Sequence, residues 1–177
     1  DPAGYWGELA EAMAWTKRWD RVLDTSNTPS TRWFVGAETN TCWNAVDRHV
    51  EAGRGEQRAL IWDSPITGQQ RTLTFMDLQR EVATFAGVLR KPGAQKGDRV
   101  LIYMSAVPEA VVAMLACARI GAIHSVVFGG FAAAEVAKRL DDATPRLVLA
   151  TSCGIEPGRV IAYMPILENA LQLAAHA

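Results

Sequence analysis

The sequence has no excess of charge of either sign. Its 177 residues include 18 Lys and Arg and 19 Asp and Glu, which gives a formal net charge of -1. The basic residues are scattered, and they form no Lys/Arg-rich arm or patch. Binding to a nucleic-acid backbone depends on clustered positive charge, so we expect no nucleic-acid partner.

Cysteine is scarce. The 3 cysteines, Cys42, Cys117 and Cys153, lie far apart and form no pair with the spacing of a metal site. Their odd number and wide separation argue against a disulfide framework and favour a reducing compartment. We therefore expect small, buried, apolar cysteines and no metal site on this chain.

Long uncharged apolar runs are also absent. The most apolar stretch, residues 110–134, contains Arg119 and His124 and is interrupted by Gly121. A charge near the centre of a membrane helix costs about 2.5 to 3.5 kcal/mol, so we interpret the stretch as helix, turn and strand and expect no membrane partner. Since the first residue is Asp1 and not Met, we expect the natural N-terminus to be missing, which leaves the compartment open.

The composition that remains is that of an ordinary globular domain, with 49% hydrophobic and 21% charged residues. Residues 4–15 carry apolar side chains at helical spacing, and residues 25–34 are polar and contain proline. Residues 1–40 are therefore predicted to be a helical extension and linker. Apolar residues at helical spacing recur from position 41, with Asn40 or Thr41 as N-cap and Gly53 as the end. We place the start of a larger α/β domain, residues 41–177, at this helix.

The middle of the chain predicts a β-hairpin followed by a helix. Two alternating runs flank the sequence PITG at 65–68. Thr74 and Asp77 then have the spacing of a capping box. One side of the helix that follows should be apolar and consist of Phe75, Leu78, Val82, Phe85 and Leu89.

From Arg99 onward the chain alternates between strand and helix. Strands are predicted over 99–104, 125–128 and 147–150, with helices that begin at Pro108 and at about Ala132. This order is typical of a parallel sheet with right-handed crossovers, so the predicted fold class is α/β. Ligands bind such sheets beyond the carboxyl ends of the strands, and the loops at 105–107, 129–131 and 152–159 should open on that one edge.

Gly129 and Gly130 follow the second of these strands in the sequence HSVVFGGF. Glycines at a strand end permit a tight turn and close approach of a ligand, and the next helix offers free N–H groups to an anion. The same pair is also compatible with a simple turn. It is not a dinucleotide fingerprint, because no third glycine follows at the required spacing.

Three longer strings carry a family resemblance: STRWFVGAETNTCWNAVDRHV, LACARIGAIHSVVFGGF and GIEPGR, in this order. Together they resemble the N-terminal part of the short-chain acyl-CoA synthetases, with the propionate-preferring branch most similar. The resemblance implies an AMP-forming ligase that joins a short-chain carboxylate to ATP, with Mg²⁺, and then transfers the acyl group to coenzyme A. It implies a partial three-layer α/β unit with a parallel sheet, the first part of the adenylate-forming (luciferase-like) large domain. It is compatible with the cytoplasm or the mitochondrial matrix.

The resemblance also implies part of a coenzyme A site. Phe128, Gly129 and Gly130 match the strand end that meets the nucleotide end of coenzyme A, and Arg159 matches an arginine that contacts its phosphates. Acetyl-CoA synthetases have a second arginine where this chain has Glu156, which puts one contact in doubt. We expect Glu156 to orient Arg159 through a charge-assisted hydrogen bond, while the alternative for Arg159 is a solvated loop residue.

Other parts of the family pattern are missing from the sequence. It has no Thr/Ser/Gly loop that ends in lysine, and the acyl pocket and the adenylation lysine of the C-terminal domain are also absent. The lysines present are Lys17, Lys91, Lys96 and Lys138. We therefore expect a piece of a ligase that has no catalytic residue of its own, is inactive alone and packs against the rest of its large domain and the C-terminal domain. The alternative is a free-standing α/β module that binds a nucleotide or coenzyme A without catalysis.

Overall fold

The computed structural model describes residues 1–175, apart from the side chain of Phe128. The chain begins with helix α1 (Pro2–Ala10), which Asp1 caps by accepting a hydrogen bond from the Gly4 N–H at 2.9 Å. The predicted linker is in fact a small antiparallel hairpin of β1 (Arg21–Asp24) and β2 (Arg32–Val35). Its strands have 4 residues each, too short for their alternation to stand out from the polar connection between them.

Aromatic packing and side-chain hydrogen bonds hold this N-terminal region together and tie it to the next segment. The ring centroids of Trp15, Trp19 and Phe34 lie 5.1 to 5.3 Å from one another. The Asn44 amide donates to the Ala14 carbonyl and accepts from the Ala14 N–H, both at 2.9 Å. Trp15 and Trp19 therefore pack within the N-terminal region, and Asn44 connects this region to the next segment.

The helix predicted after Asn40 forms, with wider turns than an α-helix. π-helical turns occupy Trp43–Asp47 and Val50–Arg54, and Gly53 interrupts the second with the left-handed φ of 75°. Asn40 caps the segment by accepting from the Trp43 N–H at 3.0 Å. Asp47 is only 8% exposed, and Arg119 donates to both of its carboxylate oxygens at 2.5 and 2.7 Å. This ion pair fastens the segment to the helix that carries Arg119.

The predicted hairpin and capped helix are both present. Strands β3 (Arg58–Ser64) and β4 (Gln69–Thr74) pair antiparallel, and helix α2 (Phe75–Arg90) begins with the Thr74–Asp77 capping box. The buried face of α2 consists of Leu78, Val82, Ala86 and Leu89.

The strand and helix alternation predicted from Arg99 is confirmed. The elements are β5 (Arg99–Met104), α3 (Pro108–Ile120), β6 (Ile123–Phe128), α4 (Ala133–Ala143) and β7 (Leu147–Ala150). The strands form a parallel sheet in the order β6-β5-β7, with Tyr103 opposite Val127 on one side and Ala150 on the other. Gly121 ends α3 in the left-handed conformation at φ 77°.

The prediction of a loop at 152–159 is wrong, because most of this segment belongs to an antiparallel hairpin. Strands β8 (Cys153–Glu156) and β9 (Arg159–Ala162) flank a turn at Pro157 and Gly158, and Gly158 has φ 76°. Helix α5 (Tyr163–Leu173) follows directly. Residues 176 and 177 lie outside the described residues.

The apolar residues pack on both faces of the parallel sheet. Helices α2 and α3 cover the face that includes Val100, and helices α4 and α5 cover the face that includes Leu101 and Tyr103. The central strand β5 is buried, with Val100, Leu101, Ile102 and Tyr103 all at 0% exposure. The fold is thus a three-layer α/β unit, and none of its described helices is long and apolar enough to cross a membrane.

Candidate functional site

A cavity of about 540 Å³ lies at the carboxyl ends of β5 and β6. Its wall includes residues 105–107 after β5, Gly129 and Gly130 after β6, and residues 154–156 of β8. The predicted convergence of these loops on one edge is therefore confirmed.

The cavity has mostly apolar walls. Trp62, Met104, Val126 and Ile155 contribute side chains to it. The Trp62 indole donates a 2.7 Å hydrogen bond to the Ala106 carbonyl, which fastens β3 to the loop after β5. Apolar walls with a few polar groups are typical of small-molecule sites.

The side chain of Tyr103 on β5 stabilises the turn at Gly129 and is fully buried. The single proton of the Tyr103 hydroxyl is shared between the carbonyl oxygens of Phe131, at 3.1 Å, and Gly129, at 3.4 Å. The Phe131 ring lies under the Arg139 guanidinium, 4.3 Å from it. The second aromatic of the FGGF motif is half-buried and packs against the apolar core.

A second tyrosine explains why residue 129 is a glycine. A Cβ at Gly129 would fall on the Tyr163 hydroxyl and lie 3.0 Å from Cζ of that ring. A Cβ at Gly154 would meet the same hydroxyl and lie 2.7 Å from the same Cζ. The Tyr163 ring therefore fills the space between these two glycines, so the room beside Gly129 that the sequence predicts for a ligand is taken by a side chain of the chain itself.

Arg159 lies on the rim of the site and not in the cavity wall. It stands opposite Glu156 in the β8–β9 hairpin and donates to one Glu156 oxygen from Nε at 2.8 Å and from Nη2 at 2.6 Å. Glu156 lines the cavity, and the Arg159 side chain is 69% exposed. A guanidinium has five N–H donors, so Arg159 keeps donors for a further acceptor.

The predicted site residues are therefore only partly brought together. Gly129 and Gly130 share the cavity wall, Arg159 lies beyond it, and the Phe128 side chain lies outside the described residues. The sequence analysis missed Tyr103 and Tyr163. For Tyr103 a signal existed, because a tyrosine in a buried strand needs a partner for its hydroxyl. No local pattern marked Tyr163.

Burial is the main cause of the raised pKa of both tyrosines. The negative charge of Glu156 further raises the pKa of Tyr163. Both phenols are therefore neutral at physiological pH and can act as hydrogen-bond donors. Within residues 1–175, no three His, Cys, Asp or Glu side chains are grouped so that they could hold a metal ion.

Comparison with known proteins assigns the chain to a family. Residues 46–174 match the model of the AMP-binding enzymes, and residues 1–45 match that of the acetyl-coenzyme A synthetase N-terminus. The chain belongs to the AMP-binding enzyme family. The resemblance deduced from the sequence motifs is thereby confirmed, and the parallel sheet described above is part of an AMP-binding domain.

Relatives in this family are similar over almost the whole chain. Acyl-CoA synthetase short-chain family member 3, mitochondrial, of Bos taurus is 50% identical over 99% of the chain, which corresponds to 26% of that relative. Propionate–CoA ligase of Escherichia coli is 47% identical over 99% of the chain and 28% of its own length. Acetyl-coenzyme A synthetase of Deinococcus radiodurans is 44% identical over 98% of the chain and 26% of its own length. The chain thus spans about a quarter of the length of these relatives.

Proposed function

We propose that this chain is the N-terminal part of an AMP-forming short-chain acyl-CoA ligase and forms part of its site for the nucleotide end of coenzyme A. The observation that carries the proposal is the match along almost the whole chain to relatives named propionate–CoA ligase and acetyl-coenzyme A synthetase. The cavity at the strand ends supports the position of the site.

The reaction has two steps. A carboxylate oxygen of propionate or acetate attacks the α-phosphorus of ATP, which gives the acyl-adenylate and releases pyrophosphate. The sulfur of coenzyme A, having lost its proton, then attacks the acyl carbonyl and displaces AMP. Mg²⁺ accompanies ATP in this proposal, and no step depends on a metal held by the described residues.

The residues of this chain have binding roles in the second step. Gly129 and Gly130 form the wall that the nucleotide approaches, and Phe128 is assigned beside them from its sequence position alone. Arg159 supplies a cation to the phosphates, for which a guanidinium is well suited. Glu156 orients Arg159, as the bonds from Nε and Nη2 to one carboxylate oxygen support.

The remaining parts of the ligase are proposed to lie elsewhere in the protein. The remainder of the large domain would cover apolar side chains such as Ile123 and Val126 of β6, which are 55% and 52% exposed. The C-terminal domain would supply the adenylation lysine. The cysteines are all free, which supports a reducing compartment, either the cytoplasm or the mitochondrial matrix.

Product analysis of the full-length protein tests the proposal. Incubation with propionate or acetate, ATP, Mg²⁺ and coenzyme A should form one AMP and one pyrophosphate for each acyl-CoA. Formation of ADP and phosphate would contradict an AMP-forming ligase. Binding of coenzyme A without consumption of ATP with either acid would instead indicate a non-catalytic binding module.

A further inference from the structure

The side chain of Tyr163 connects the turn at Gly129 and Gly130 with the β8–β9 hairpin, and the proposed site requires a fixed distance between the two. Tyr163 is 5% exposed and lines the cavity together with Gly129, Gly154 and Glu156. Its ring packs on Tyr103, with the ring centroids 4.9 Å apart and the planes tilted by 30°. Tyr103 in turn bonds to the carbonyl of Gly129. The two rings therefore form a continuous support from β5 to the cavity wall.

Tyr163 also closes the base of the hairpin that carries Arg159. Its backbone N–H donates to the Ser152 carbonyl at 2.9 Å, one residue before β8 begins. Its side chain reaches strand β8 of that hairpin and fills the space beside Gly154. Tyr163 thus contacts the hairpin through its backbone and its ring, and it contacts the turn at Gly129 through its ring.

We propose that Tyr163 is a positioning residue for coenzyme A, which sets the spacing between the Gly129–Gly130 turn and the β8–β9 hairpin. Glycine is needed at 129 and 154 because the Tyr163 ring occupies the space of a Cβ at each position. The ring holds the hairpin at the distance from which Arg159 reaches a phosphate beside Gly130. This inference rests on the proposed function, since it takes coenzyme A as the ligand.

The test compares Tyr163→Leu and Tyr163→Phe in the full-length enzyme. Tyr163→Leu removes the far part of the ring, so the KM for coenzyme A should rise on the order of tenfold, because small displacements of binding groups are costly. Acid-dependent exchange of pyrophosphate into ATP, measured without coenzyme A, should stay within about twofold of wild type. Tyr163→Phe keeps the ring and should restore the KM to within about twofold. Tyr5→Leu, at a tyrosine that is 60% exposed on α1, is the matched control and should change neither value.

A double-mutant cycle tests the role assigned to the glycines. Gly154→Ala should raise the KM for coenzyme A in the wild-type background and change it little in the Tyr163→Leu background, because the clash partner is gone. Independent, multiplicative effects would overturn the inference. So would a Tyr163→Phe enzyme as impaired as Tyr163→Leu, or an equal loss of both half-reactions in Tyr163→Leu.

Arg159→Ala in the same assays separates this inference from the proposed function. If Arg159→Ala weakens coenzyme A use and Tyr163→Leu does not, the positioning role of Tyr163 is wrong, while the proposed coenzyme A site is still supported. If neither variant affects coenzyme A use, the proposed site itself is wrong.

Discussion

Gly129 and Gly154 face the same phenol ring from two sides, and this contact could not be predicted from the local sequence. The Gly-Gly pair correctly indicated a sharp turn after a buried strand, and its placement on the cavity wall followed from the parallel sheet. The ring that requires the glycine comes from Tyr163, which is 34 positions further along the chain than Gly129. No spacing rule connects residues so far apart, since the contact depends on where α5 begins.

The pairing of Arg159 with Glu156 was within reach of sequence reasoning. The sequence analysis expects a charge-assisted hydrogen bond between them, and the structure shows it. The hairpin that places the two residues opposite each other was not predicted. Its position explains why Arg159 lies on the exposed rim instead of in the cavity wall.

The cysteines should differ in their rates of alkylation. Burial raises the pKa of Cys117 to about 11, and it also raises the pKa of Cys42. At pH 8 only about one Cys117 thiol in a thousand is then the reactive thiolate. Cys153 is half-buried on β8 and should be labelled first by iodoacetamide in the native full-length protein.

Peptide mass mapping measures this order. The labelling of Cys117 should increase about tenfold for each pH unit between 8 and 10, because the thiolate fraction does so below the pKa. Denatured protein, in which all three residues are accessible, is the control. Equal labelling of Cys117 and Cys153 in the native protein would show that Cys117 is not buried.

At the scale of elements, predictions succeeded where a signal is local and repeated. The capping box, the apolar face of α2 and the run of strands and helices from Arg99 each extend over enough residues to define a period. The two hairpins β1–β2 and β8–β9 have strands of 4 residues, and their turns consist of polar or Pro/Gly residues that equally suit a loop. The π-helical turns after Asn40 were missed because their apolar spacing is close to that of an α-helix.

The capping box at the start of α2 gives a test at this scale. The Thr74 hydroxyl accepts from the Asp77 N–H at 3.1 Å, and Asp77 accepts from the Thr74 N–H at 3.2 Å. Thr74→Ala removes the first bond, which is typically worth about 1 kcal/mol. Amide hydrogen exchange in the first turn of α2 should therefore accelerate about fivefold in the full-length protein.

Thr72→Ala is the matched control, because Thr72 is an exposed threonine on the preceding strand β4. It should leave the exchange of that turn unchanged. Equal acceleration in both variants, or none in Thr74→Ala, would show that the cap does not stabilise the helix.

In the whole molecule, the proposed function places coenzyme A binding and adenylation in different parts of the protein. The described sheet ends form one edge with a cavity, apolar walls and a nearby arginine, which suits a nucleotide with phosphates. Under the proposed function, adenylation is carried out by other parts of the protein. A change at this edge should therefore affect the use of coenzyme A and spare the formation of the adenylate.

The most direct measurement is that of both half-reactions in full-length Arg159→Ala. Loss of a charge-assisted contact worth about 1.5 to 3 kcal/mol should weaken coenzyme A binding on the order of 10 to 100-fold. Arg80→Ala is the matched control, since Arg80 also pairs with an acidic residue three positions before it and its side chain is 71% exposed, against 69% for Arg159. Acid-dependent exchange of pyrophosphate into ATP should stay within about twofold of wild type in both variants. An unchanged dependence on coenzyme A in Arg159→Ala, or an equal loss of exchange, would contradict the proposed site.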